Sequence, residues 1–118
     1  MTTIKSFSNL EQSRKLAEFL PLESADMHYH YDNDFGELES IPTITEEDDH
    51  FALFPKDFSC WSLAALLAVL PKIHGAKPIL DLEENSIQYT GIDLYVVADN
   101  PVDACVSMII KLHELKML

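Results

Sequence analysis

Residues able to do chemistry occur in two parts of this chain. Between residues 28 and 34 an imidazole or a carboxylate recurs at every second position, as His28, His30, Asp32 and Asp34. Alternate residues of a strand project from one face, so an extended chain through Asp34 would align donors suited to a divalent transition metal. His28, His30 and Asp32 are the candidate ligands, because Asp32-Asn33-Asp34-Phe35-Gly36 is also a turn signal that ends the shared face near Asp32. The second place is Cys60, at the head of the apolar run Leu63 to Leu70. A helix N-terminus lowers a thiol pKa and favours the nucleophilic thiolate, which makes Cys60 the candidate nucleophile of a cysteine-dependent hydrolase. Plain packing explains both features as well: a wet side of an edge strand for the first, a buried small side chain for the second.

The segments around these residues match known motifs only in part. His28-Tyr29-His30-Tyr31-Asp32 is similar to the metal motif of metallo-β-lactamase-type hydrolases, but Asn33 stands where that motif closes with His. The chain is also far too short for that fold. As a calcium loop the turn fails, with Gly36 one place early and the distal Glu missing. Ser59-Cys60-Trp61 resembles the nucleophile segment of papain-like cysteine peptidases, yet Lys56-Asp57-Phe58 replaces the Gly-rich approach. The available bases, His74 and His113, fall just after one helix and late in another. Cys105 sits within a helical apolar stripe and is expected in the core. With only three glycines and no phosphate loop, Ser-His-Asp order, nucleotide fingerprint or zinc spacing, no cofactor is expected.

Charge narrows the classes further. The chain has 118 residues, 20 acidic against 8 basic, and a formal net charge of −12. That excludes electrostatic affinity for a nucleic-acid backbone or an anionic membrane. The acid is concentrated: residues 16–55 hold eleven carboxylates and neither Lys nor Arg, while the rest is nearly neutral. Asp32, Asp34 and the run Glu46-Glu47-Asp48-Asp49 form a candidate acidic interaction face for a protein with a basic surface, or for an imitation of nucleic acid. His28, His30 and His50 lie in the same stretch, where carboxylates favour their protonated forms. The start of the chain lacks the basic and apolar regions of a secretory signal, and Leu63 to Leu70 is too short to span a bilayer. Two distant cysteines make no disulfide framework, so the expectation is a soluble cytoplasmic protein of unspecified oligomeric state.

The elements that must position these residues follow from caps and periodicity. Ser8-Asn9-Leu10-Glu11 has the capping-box pattern, with the Ser8 hydroxyl on the amide three residues on and Glu11 reaching back. It predicts a first helix over residues 9–20, closed by Pro21. Met27 to Tyr31 alternates like a strand, and Glu37 to Ile44 returns as a second one that Pro42 confines to an edge. Phe51 to Phe54 is a further short strand candidate. The second helix is expected over residues 60–70, capped by Ser59 or Ser62. Being apolar nearly all round, it should be buried on several sides at the centre of the fold. Pro78 to Leu82, Ile87 to Tyr89 and Ile92 to Ala98 read as strands, the last β-branched and continuous enough to be central. Asn100, Pro101 and Asp103 start a third helix with an apolar stripe of Val102, Cys105, Val106, Ile109, Leu112 and Leu115. The order is α-ββ-α-ββ-α: a single α+β domain over residues 1–118, with three helices on an antiparallel or mixed sheet of four or five strands.

Three segments carry a family resemblance. Asn9 to Met27 (NLEQSRKLAEFLPLESADM), Trp61 to Pro71 (WSLAALLAVLP) and Asp99 to Ala104 (DNPVDA) resemble, in the same order, blocks of a family of small proteins. That family belongs to gut bacteria such as Bacteroides and to their phages. The resemblance covers about a third of the chain and implies a small single domain encoded by a prophage or mobile element. It brings no activity, cofactor or catalytic residue to any position here. Caps and a complete core without an assembled catalytic set lead to the expectation of a non-enzymatic protein-binding domain. A Cys60 hydrolase, a His28/His30 metal protein and an acidic nucleic-acid mimic are the alternatives.

Overall fold

Asn9 starts the first helix, α1 (Leu10–Ala17): its side chain accepts from the Gln12 amide at 2.8 Å, and Gln12 Oε1 accepts from the Asn9 amide at 3.1 Å. The capping box therefore sits one residue later than the Ser8/Glu11 pattern predicts. Ser8 is withdrawn from that role because its backbone and hydroxyl both pair with Trp61. The helix also ends earlier than residue 20, in a tightened turn where the amides of Glu18 and Phe19 reach the carbonyls of Lys15 and Leu16. After Pro21 comes one 3₁₀ turn, Leu22–Ser24.

The computed structural model describes residues 5–29, 42–44 and 59–118. Three short strands follow the first helix in sequence: β1 (Met27–His28), β2 (Thr43–Ile44) and β3 (Ser59–Cys60). They form an antiparallel sheet with β1 in the middle, Met27 opposite Ile44 on one side and Cys60 on the other. Pro42 thus precedes an edge strand, where its missing amide costs no ladder bond. Ser59 and Cys60 belong to this sheet and not to a helix. The second helix, α2 (Leu63–Val69), begins only at Ser62, whose hydroxyl accepts from the Ala65 amide and donates to Asp26. Leu70 before Pro71 is extended and ends it. Phe51 to Phe54 lies outside the described residues.

A second antiparallel sheet contains β4 (Pro78–Asp81), β5 (Ser86–Tyr89) and β6 (Leu94–Val97), with β5 central. The strongest strand by sequence, β6, is therefore an edge, and its Tyr95 and Val97 are exposed. Propensity reports how well a residue suits a pleated surface, not which place in the sheet it takes. Among the described residues the strands thus number six, divided between two sheets. Helix α3 (Pro101–Glu114) opens as its sequence predicts, with Asn100 accepting from the Asp103 amide and Pro101 in the first turn. It packs on β5, β6, α2 and α1, burying Val102, Cys105, Val106, Ile109 and Leu112, with Ala104 and Met108 beside them. Leu115, by contrast, is exposed. One hydrophobic cluster joins α1, Trp61, α2, the second sheet and α3 into a single α+β core.

Candidate binding groove

Cys60 is fully buried on β3, in a knot of short polar side chains. Its thiol donates to the Ser8 carbonyl at 3.3 Å and lies 3.7 Å from the Ser8 hydroxyl, which pairs with the Ser13 hydroxyl at 2.8 Å. The Tyr29 hydroxyl donates to the same carbonyl at 2.7 Å. Burial pushes the Cys60 thiol above its ordinary range, hydrogen bonds from Ser8, Tyr29 and Ser13 pull the other way, and Asp26 adds to the rise. Burial and Cys60 raise Tyr29 as well. The helix N-terminus expected to activate the thiol is absent, because Cys60 sits in a strand two residues before the α2 cap.

None of the described histidines serves Cys60 as a base either. Cys60 pairs with Met27 and Ser59 with His28, so the His28 imidazole and the thiol leave opposite faces of the sheet. His74 occupies a turn, and His113 stacks on Phe19 with ring centroids 3.9 Å apart. Burial pushes Cys105, on the inner stripe of α3, up to about 12. Both thiols are built for packing. His28 is buried and has an interaction partner. His30, Asp32, Asp34, Glu46, Glu47, Asp48, Asp49 and His50 lie outside the described residues. Among the described residues, no group of three or more His, Cys, Asp or Glu side chains could hold a metal ion. No helix there is long and apolar enough to cross a membrane.

A different feature stands open. The end of α1, the 3₁₀ turn, α2 and the end of α3 enclose a groove of about 550 Å3, within the size range of ligand-binding clefts. Phe19, Leu20 and Pro21 form one wall, Ala65, Ala68 and Val69 the floor, and His113 and Leu118 the far side. Its polar groups are Glu23, Ser24 and His113. Ser24 is already engaged: its hydroxyl donates to the Pro21 carbonyl at 2.6 Å and accepts from Trp61 Nε1 at 3.0 Å. Glu23 is exposed and enters no ion pair with a described residue.

Helix α2 meets the groove with a face that its composition does not foresee. Ala65 and Leu66 are buried, but Ala64, Leu67 and Ala68 are exposed, Leu67 by 37%. Positions three and four apart adjoin on a helix, so these three make one apolar stripe open to solvent. The expectation of a helix buried on several sides is corrected here: only one side faces the core. The segment that carries the groove wall, Phe19 to Ser24, reads in sequence merely as a helix end and its proline stop. The one sequence signal for the groove was the absence of any polar residue in α2. Compared with protein-family models, with curated proteins and with solved structures, the chain matches none of them.

Proposed function

We propose that this chain is a non-enzymatic protein-binding domain whose contact surface is the α1–α2–α3 groove and the open stripe of α2. The observation that carries this reading is the mismatch in α2, a helix with no polar face that leaves Ala64, Leu67 and Ala68 in water. A helix apolar all round suits burial on every side, and a partner would supply the missing side. The buried thiols give no competing chemistry. Two unpaired cysteines suit a reducing cytoplasm. The likeness to small proteins of gut bacteria and their phages makes a gut-bacterial lysate the natural source of partners.

The test compares proteins retained from such a lysate by the immobilised wild type, by Leu67→Glu, by Ala68→Glu and by Gln88→Ala on the second sheet. Leu67, Ala68 and Gln88 are exposed, so each variant should keep its fold, checked by circular dichroism. The expected outcome is a set of proteins lost from both α2 variants and kept by Gln88→Ala. Identical retention by all four chains refutes the reading.

A further inference from the structure

Resting on that reading, we propose that the groove takes an amphipathic segment of another protein, one that sets apolar side chains against α2 and brings a Lys or Arg to Glu23. Charge complementarity carries the assignment. The wall from Phe19 to Ser24 belongs to the stretch of residues 16–55 that has no Lys or Arg, and among the described residues neither Lys nor Arg lines the groove. Glu23 is therefore a carboxylate at an apolar surface with no ion pair to a described residue, whereas Glu18 just outside pairs with Lys15 at 3.3 Å. Ser24 has spent its donor and an acceptor site inside the fold, which leaves Glu23 and the His113 ring to choose a partner. Lys and Arg have apolar stems, so such a side chain can lie along Phe19 and Pro21 while its head reaches the carboxylate.

The same bookkeeping argues against a second copy of this chain as the occupant. Two copies would bring together net charges of −12 each, and like charges across an interface are repelled. A basic segment, by contrast, is steered towards the molecule as a whole before it docks.

The test titrates the full chain, labelled for NMR, with synthetic peptides. One is a Leu/Lys helix with apolar residues on one face, one its Leu/Glu counterpart, and one a Leu/Lys scramble without helical spacing. The Leu/Lys helix should shift the amides of Phe19 to Ser24, of α2 and of Glu114 to Leu118. The other two peptides should bind at least about tenfold more weakly. Glu23→Gln should weaken the Leu/Lys helix about two- to fivefold, and Ala68→Arg at least about tenfold. Equal binding of the Leu/Glu peptide, or no effect of Glu23→Gln, overturns the proposal and leaves the groove as a contact surface. Shifts scattered away from the groove overturn it as mere attraction to a net charge. If no peptide touches the groove, the underlying reading falls as well. Sedimentation equilibrium supplies the last arm: a dimer that Leu67→Glu dissolves overturns it in favour of a second copy.

Discussion

Ser8 ties three segments together with small polar groups. Its backbone amide donates to Trp61 at 2.9 Å, its hydroxyl accepts from the Trp61 amide and pairs with Ser13, and its carbonyl collects Tyr29 and Cys60. None of the buried side-chain nitrogens or oxygens among the described residues is left without a partner. In that setting Cys60 is a weak hydrogen-bond donor held in its neutral form. Under native conditions Cys60 and Cys105 should react with iodoacetamide more than about a hundredfold slower than in the urea-unfolded chain, since access requires opening of the core. A Cys60 that alkylates faster than free cysteine at pH 6 would restore the hydrolase reading. Asp103 is the other residue with a readable consequence. Burial alone would raise its pKa, but hydrogen bonds from Lys5 and Gln12, the Lys5 charge and Asn100 outweigh it and hold the carboxyl low. Lys5 Nζ lies 2.6 Å away. A depressed folded pKa contributes stability that is present above the unfolded value of about 4 and lost as pH falls through the folded one. Asp103→Asn should therefore flatten the fall in stability below about pH 4. An unchanged acid profile in urea melts would show that the contact contributes nothing.

Single elements were legible wherever a cap or a proline marks them. Asn100-Pro101 predicts the start of α3, Pro71 the end of α2 and Pro42 an edge strand, and each stands in the structure. What stayed hidden depends on contacts far along the chain. Ser8 and Ser59 look like caps locally, yet one pairs with Trp61 and the other with β1. Left-handed conformations at residues other than glycine were equally hidden. His74 has φ +49° before Gly75 at +81°, closing a two-residue turn between Ile73 and Ala76. The end of α3 is a Schellman motif: the Met117 amide reaches the Leu112 carbonyl at 2.9 Å and the Lys116 amide that of His113 at 3.0 Å. It forces Lys116 to φ +59°, where a Cβ atom crowds the backbone and glycine is the usual occupant. Lys116→Gly removes that crowding and should stabilise the chain by about 1 kcal/mol, less the extra freedom glycine gives the unfolded state. A lower midpoint in urea would mean that the Lys116 side chain makes contacts worth more than the strain.

At the scale of the molecule, the sequence carried the α+β class and the three helices, because each helix has a start signal and an apolar stripe or, in α2, an unbroken apolar run. It did not carry the division into two sheets, since hydrophobic alternation says which face is buried but not which strand lies alongside. The groove was hidden for a related reason: it is made where α1, α2 and α3 end near one another, a property of packing and of no single segment. Net charge is the global quantity the sequence states outright. With 20 acids against 8 bases, repulsive pairs outnumber attractive ones, and the described ion pairs, Lys5–Asp103 and Lys15–Glu18, are partly exposed and worth little. Screening should remove more repulsion than attraction. Raising NaCl from about 20 mM to about 0.5 M at pH 7 should therefore stabilise the chain by about 1 kcal/mol, read as a higher midpoint in urea. The same addition near the sequence pI of about 4.5 should do almost nothing, because the net charge there is close to zero. An equal gain at both pH values would mean that salt acts on apolar burial instead of charge. A loss of stability at pH 7 would mean that local attraction outweighs the excess of acid, so that the carboxylates of residues 16–55 are already met by cations within the fold.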